Sequence, residues 1–365
     1  MVDITRRSIM GFAAALPFLA HTPWVRAQSP TVAAPVPSDE ILINFNESPW
    51  GPTPAARQAM ERGIALCGRY PYKTQYKLNA LFARQQGVPQ EYVQTYSGSK
   101  AALQHAVHAF TQNASLVVAT PSYEDPVEAA RGIKVPVHEV PLNAQHAHDV
   151  QGMLAADSNA GLIYLCNPNN PTGTITPRAD IERVLAGKPK GSILLVDEAY
   201  LDFSDVPTCI PLVKDHPELL VLRTFSKIYG MAGARLGVAV GHPALLEQLE
   251  VFGNYNVPAV STLLGGIASL EDAELLPQRK HNNARLRDET IAWLKTRGFR
   301  CTASQANCFM IDVGRPGDEV VKALADRGVR IGRVWQSWPT WVRVSVGTDA
   351  QMRRFREAFG QVIQG

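Results

Sequence analysis

The sequence holds five cysteines (Cys67, Cys166, Cys209, Cys301 and Cys308), scattered singly and odd in number. With no Cys-x-x-Cys spacing, neither a disulfide framework nor a cysteine-based zinc cluster fits. No charge of one sign dominates. The chain has 36 basic and 33 acidic residues, and residues 1–27 carry three Arg against one Asp, leaving 33 against 32 in the remainder. So balanced a chain has no field with which to draw in nucleic acid or an anionic membrane. Glycine (27) and proline (26) show no period, which removes collagen-like and low-complexity readings. Neither a P-loop nor a Gly-x-Gly-x-x-Gly fingerprint occurs, so those phosphate-binding loops are not in play. What remains is 45% apolar and 19% charged residues over 365 positions, the balance of a folded globular protein of about two domains.

The N terminus reads as an address. Residues 5–10 are Thr-Arg-Arg-Ser-Ile-Met, an apolar run follows from Ile9 to Ala20, and Val25-Arg26-Ala27 puts small residues where a signal peptidase reads. The run is about twelve residues, whereas a bilayer span takes about twenty. Paired arginines ahead of a weakly apolar stretch resemble a twin-arginine export signal. Residues 1–27 are therefore expected to be a signal peptide and residues 28–40 a Pro- and Ala-rich linker, with the periplasm as destination. Twin-arginine export moves proteins already folded, which raises the expectation of a tightly bound cofactor.

The mature chain alternates short apolar runs with stretches of helical spacing. The runs are Leu116–Ala119, Gly161–Cys166, Ile193–Val196, Leu219–Leu222 and Leu236–Val240. Continuous rather than alternating apolar strands are buried on both faces. Strands interleaved with helices predict an α/β fold, a mostly parallel sheet flanked by helices. A second, smaller α/β domain is expected over 262–365, with a helix near Glu271–Arg297 and a strand at Trp341–Val346.

Ligands of such sheets sit beyond the C-terminal strand ends, so the residues after each run carry the functional argument. They are Tyr123, Asn170, Asp197, Tyr200, Thr224, Ser226 and Lys227, with Arg235 before the last run. An amide, a carboxylate, phenols, hydroxyls, a lysine and an arginine would share one sheet edge. Each also has a plain structural reading: Asp197 as a helix N-cap, Asn170 as a turn residue, Tyr123 as a core aromatic. Ser97-Gly-Ser-Lys100 and Thr224-Phe-Ser-Lys227 fit an acyl-enzyme Ser/Thr-x-x-Lys pattern, but its partner motifs are absent. His146-Ala-His148-Asp149 lies in a polar stretch without further ligands, so no metal is expected.

Taken in order, these residues resemble the class I/II aminotransferases, pyridoxal-phosphate enzymes of fold type I, and within them the histidinol-phosphate aminotransferase group. The resemblance covers about residues 40–360. It rests on Asn44-Phe-Asn46-Glu-Ser-Pro49, Arg69-Tyr70-Pro71, Ser97-Gly98-Ser99, Asn170-Pro-Thr-Gly173, Asp197-Glu-Ala-Tyr200, Ser226-Lys227 with Arg235, and Val342-Arg343-Val-Ser-Val-Gly347. It implies an N-terminal arm (41–68), a large cofactor domain (69–261) and the small domain (262–365). It implies that Lys227 forms the Schiff base with pyridoxal 5'-phosphate and afterwards shuttles a proton. Asp197 would keep the pyridine nitrogen protonated. Asn170 and Tyr200 would bond the ring oxygen, and Tyr123 would stack on the ring. Gly98 and Ser99 at a helix start, Thr224, Ser226 and Arg235 would hold the phosphate. Lys100 stands where an acidic pair is common in that family, with its role open. Tyr70 would reach the cofactor of a neighbouring subunit, which implies a homodimer.

The implied reaction moves an amino group from an L-amino acid or amino alcohol to a 2-oxo acid. A decarboxylase of a phosphorylated amino acid is the alternative on the same scaffold. Arg343 would clamp the donor carboxylate and Asn46 would line the substrate pocket. Arg330 or Arg333 would serve a substrate phosphate, whereas Trp335, Trp338 and Trp341 together would favour an aromatic donor.

Overall fold

A computed structural model of the chain describes residues 40–253 and 257–364. The expected signal peptide, and the linker up to residue 39, lie outside the described residues. In chain order the strands are β1 (Ile41–Ile43), β2 (Val93–Tyr96), β3 (Ser115–Thr120), β4 (Val137–Pro141), β5 (Ala160–Cys166), β6 (Ile193–Asp197) and β7 (Leu219–Thr224). There follow β8 (Gly237–Gly241), β9 (Arg300–Cys301), β10 (Cys308–Asp312), β11 (Val329–Ile331), β12 (Val334–Trp335) and β13 (Trp338–Ser345).

Seven strands form the main sheet in the order β2-β8-β7-β6-β5-β3-β4. All run in one direction except β8, which is antiparallel to both its neighbours. The cause is visible in the residues. Every residue of β5 is buried, and β3, β6, β7 and β8 are buried almost throughout. Helices close over the sheet with apolar stripes such as Ala102, Leu103, Ala106 and Val107 in helix Ser99–Phe110, and Ile181, Val184 and Leu185 in helix Arg178–Gly187. From β3 the chain steps outward to β4, then returns to the other side of β3 for β5, β6 and β7. That reversal opens a crevice between the C-terminal ends of β3 and β5, where doubly wound sheets take their ligands.

A second core lies around the antiparallel sheet β12-β13-β10-β9. Phe309, Ile311, Val342 and Val344 pack there against Phe355 and Phe359 of the C-terminal helix Asp349–Gln364. Ile43 and the partly buried Trp50 join this core, whereas Met60 packs against the large one. The boundary expected at 261/262 needs correction. It falls inside helix Val260–Glu271, whose Leu263, Ile267 and Leu270 belong to the large core. The handover occurs within the long helix Leu275–Lys295: Leu275 packs in the large core, Leu286 and Leu294 in the small one. Among the described residues no helix is long and apolar enough to cross a membrane.

Candidate active site

The crevice at the strand ends is a cavity of about 690 Å³ between the two cores. It gathers residues from the segment after β3, from β5, β6 and β7 and the turns that follow them, from the start of helix Ser99–Phe110 and from the small sheet. Lys227, three residues beyond β7, lines it together with Asp197, Asn170, Tyr200 and Tyr123. The Lys227 Nζ donates to the Phe45 carbonyl at 3.1 Å and lies 5.5 Å over the Tyr200 ring. Burial, and after it the Arg343 guanidinium, pushes the amine down to about 8. A neutral amine is thus within reach at mild pH, which a nucleophilic lysine needs.

Asp197 ends β6 as a buried carboxylate with neutral hydrogen-bond donors. The Tyr164 hydroxyl donates at 3.0 Å and the Ala199 N–H at 3.1 Å. Burial raises its pKa to about 6 against the pull of those donors. A buried carboxylate without an ion-paired cation is costly, and a protonated ring nitrogen is the partner that would relieve it. Asn170 engages its side-chain oxygen with Arg343 Nη1 (2.8 Å) and Asn46 Nδ2 (3.4 Å). Its Nδ2 would be available to donate to a ring oxygen of a bound cofactor.

The phosphate end is equally defined. Gly98 has φ +89°, and a Cβ there would overlap the Arg235 guanidinium. One at Gly237 would overlap the Ser99 backbone nitrogen. Only glycine therefore lets Arg235 and the first N–H groups of helix Ser99–Phe110 come together, with the helix dipole favouring an anion. The Thr224 hydroxyl bonds Ser226 Oγ at 3.1 Å and accepts the Ser226 N–H at 3.1 Å. Ser99, Thr224, Ser226 and Arg235 all line the cavity. The donor set, the cradle and the buried Asp197 fit pyridoxal phosphate.

Three expectations need amendment, and the open role of Lys100 is filled. Lys100 reaches the rim, where it pairs with Asp125 at 2.9 Å, and Asp125 also accepts from the Tyr123 hydroxyl. Lys100 thereby anchors Tyr123 through Asp125. Asn46 does not line the cavity. It is wholly buried behind it, donating from Nδ2 to the Tyr200 hydroxyl (3.2 Å) and receiving from Ser345 Oγ (2.8 Å). It positions other groups. Arg330 is on the wrong side of β11: Ile331 faces the cavity, so its neighbour faces away, and Arg330 pairs with Glu40. Of the three indoles only Trp335 lines the cavity, whereas Trp338 and Trp341 pack edge-on against His146.

Arg333 does line the cavity, 4.6 Å over Trp335 and ion-paired to Glu124. Arg343 approaches the same indole at 5.3 Å and bonds the Asn44 carbonyl at 2.5 Å. Tyr70 is 84% exposed and sits in a separate surface concavity with Tyr72 and Val260. The sequence reading missed Tyr164 and Glu124. For Tyr164 the signal was a lone hydroxyl in the otherwise apolar β5. Glu124 carried no signal. Among the described residues no His/Cys/Asp/Glu group could hold a metal.

Comparison with known proteins agrees with this geometry. The family model for aminotransferase class I and II matches residues 39–359. A histidinol-phosphate aminotransferase of Symbiobacterium thermophilum is 35% identical over 326 residues, 88% of this chain and 90% of that protein. Histidinol-phosphate aminotransferase 1 of Cupriavidus pinatubonensis is 32% identical, covering 93% and 96%. The structure of histidinol-phosphate aminotransferase from Sinorhizobium meliloti in complex with pyridoxal-5'-phosphate superposes with a TM-score of 0.80 at 26% identity, covering 89% and 91%. L-threonine-O-3-phosphate decarboxylase from Porphyromonas gingivalis, 20% identical at a TM-score of 0.76 over 89% of this chain and all of that one, shares the fold. The catalysis is pyridoxal-phosphate-dependent transamination, and the chain belongs to the class I and II aminotransferases.

Proposed function

We propose that the amino donor carries an anionic group and a flat ring, as histidinol phosphate and the aromatic L-amino acids do, and that the acceptor is a 2-oxo acid. The observation that carries this reading is the meeting of Lys227, Arg343 and the Trp335 indole in one cavity. Arg343 is buried, its other partners are neutral oxygens, and its Nε has no partner. Such a fork is suited to a carboxylate or phosphate oxygen. Trp335 supplies a face for a ring. The relatives named above as histidinol-phosphate aminotransferases support the phosphate donor; the indole supports the aromatic one.

The residues divide the work. Arg343 orients the donor by its anion. Lys227 Nζ, with its lowered pKa, takes the proton from the donor's α-carbon and returns one later. Pyridoxal phosphate supplies the electron sink for the pair left at that carbon. Asp197 would hold a proton on the ring nitrogen, Tyr123 would cover a ring face, and Gly98, Ser99, Thr224, Ser226 and Arg235 would hold the phosphate. Titrating the yellow protein with histidinol phosphate and, separately, with L-amino acids tests the reading. A donor that bleaches the colour and appears as its oxo product supports it. A protein that stays colourless after added cofactor overturns it.

We also propose a symmetric dimer in which Tyr70 reaches the partner's cofactor phosphate. Exposed Ile64, Leu66, Tyr70, Tyr72 and Tyr76 give this stretch an apolar surface of the kind subunit contacts cover. Sedimentation of the holoenzyme as a monomer would overturn it. Export by the twin-arginine route is proposed from residues 5–27 alone. Replacing Arg6 and Arg7 by lysine should retain the protein in the cytoplasm; unchanged periplasmic recovery would refute that route.

A further inference from the structure

We propose that Glu124 is a specificity-determining residue: it competes with the substrate's own anion for Arg333, so that the site favours donors with one negative charge over those ending in a phosphate dianion. The inference rests on the donor reading above and sharpens it. Two guanidiniums, Arg333 and Arg343, approach one indole at 4.6 and 5.3 Å. Two cations that close would suit a doubly charged group. Their partners differ, however. Among the described residues Arg343 is bonded only to neutral oxygens, of Asn170 and Asn44. Arg333 is already matched to a carboxylate, Glu124. Of these two guanidiniums, one thus lacks a counter-charge and the other has its counter-charge built in.

The other charged groups around Arg333 do not change this count. Lys100 is matched by Asp125, and Glu47, which also lines the cavity, adds a further negative charge rather than a positive one. The pair joins two parts of the fold. Glu124 follows β3 of the main sheet, whereas Arg333 lies between β11 and β12 on the other wall. Its side chains are 37% and 58% exposed, so the pair is screened and weak enough to be displaced. Displacement still has a consequence. A dianion entering beside Arg333 leaves Glu124 without its partner and next to a like charge, whereas a monoanion on Arg343 leaves the pair intact.

Glu124 can be changed without loss of a capping bond. It occupies the N-cap of helix Asp125–Gly132 yet makes no side-chain capping bond. Glu124→Gln keeps its size and removes its charge.

The test uses the pyridoxal-phosphate-loaded protein and two amine-free ligands, imidazolylpropyl phosphate and phenylpropionate, whose affinities calorimetry reads without turnover. Glu124→Gln is expected to tighten the phosphate ligand about tenfold and to leave phenylpropionate within about twofold, on the scale of one charge-assisted contact. In an Arg333→Gln background the same change should do nothing to either ligand. Equal effects on both ligands, no effect, or an unchanged effect without Arg333 would overturn the proposal. Turnover of histidinol phosphate and phenylalanine is measured beside it. If neither is a substrate, the donor reading fails, and the analogue affinities still decide whether Glu124 competes.

Discussion

Replacing Asp197 with asparagine is expected to stabilise the cofactor-free protein while disabling the enzyme. The carboxyl is buried with only the Tyr164 hydroxyl and the Ala199 N–H as donors, and burial lifts its pKa from 3.8 to about 6. The folded value is the higher, so the native state holds the proton more tightly. Stability therefore falls as pH rises from about 3.8 to about 6, and the whole cost is present above that window. The interval corresponds to ~3 kcal/mol. Asparagine fills the same space without a charge; its Oδ1 keeps the Ala199 N–H, and its Nδ2 donates to the Tyr164 hydroxyl oxygen, reversing that bond. For a domain of this size, ~3 kcal/mol is about 5 °C or more in melting temperature. Near pH 5 the wild-type carboxyl is mostly protonated when folded and ionised when unfolded, so about half of the advantage should remain. Scanning calorimetry of both cofactor-free proteins at about pH 7.5 and about pH 5 reads these differences. Adding pyridoxal phosphate should reverse the order, because a carboxylate facing a protonated ring nitrogen is then favourable and asparagine cannot supply the charge. A gain equal at both pH values, or a loss in the cofactor-free state, would refute the account of Asp197 as a charge held in waiting for the ring.

Two further outcomes follow from the same geometry. Lys227→Ala should abolish release of the oxo product while leaving the far-ultraviolet circular dichroism unchanged; retained turnover would remove Lys227 from the centre. Gly98→Ala combines a φ of +89° with overlap on the Arg235 guanidinium. Equilibrium dialysis should show it lowering cofactor affinity tenfold or more, the scale of roughly 1–3 kcal/mol of local strain, and wild-type affinity would detach Gly98 from the phosphate cradle.

Much of this was legible in the residues for a physical reason. A strand buried on both faces must be apolar throughout, so β3, β5, β6, β7 and β8 announced themselves. The residues that follow them necessarily collect at one edge of a parallel sheet. β4 and β2 did not stand out. β4 is an edge strand with no fully buried residue, and β2 is four residues long with Gln94 and Thr95 inside it. Arg330 and Arg333 looked equivalent because they lie only three positions apart, and only the register of β11 decides that Ile331 rather than Arg330 faces the cavity. The same limit hid Asn46, whose role behind Tyr200 depends on three elements distant in sequence. Pairings such as Tyr164 with Asp197 and Glu124 with Arg333 join separate strand ends and leave no local pattern.

Arg343 links recognition to proton transfer, and that link is open to test. After burial, its guanidinium is the strongest cause holding Lys227 near 8. A donor anion that neutralises Arg343 weakens that cause. The lysine then becomes more basic once the substrate is in place, and less so before, which raises its neutral fraction while it must act as a nucleophile. Substitution can imitate the substrate. Arg343→Gln removes the charge permanently and should move Lys227 from about 8 toward its ordinary 10.5. Arg343→Lys keeps the charge but loses the planar fork. Trace acetylation of Lys227 in the cofactor-free protein, followed by mass spectrometry across pH, measures the midpoint without any reaction of substrate. The expected pattern is a midpoint near 8 in wild type and the lysine variant, a higher one in the glutamine variant, and phenylpropionate affinity reduced tenfold or more in both. If the glutamine midpoint stays at the wild-type value while affinity falls, Arg343 grips the donor but does not tune the lysine. Burial alone would then set the lowered pKa, and the donor's arrival would leave Lys227 as basic as before.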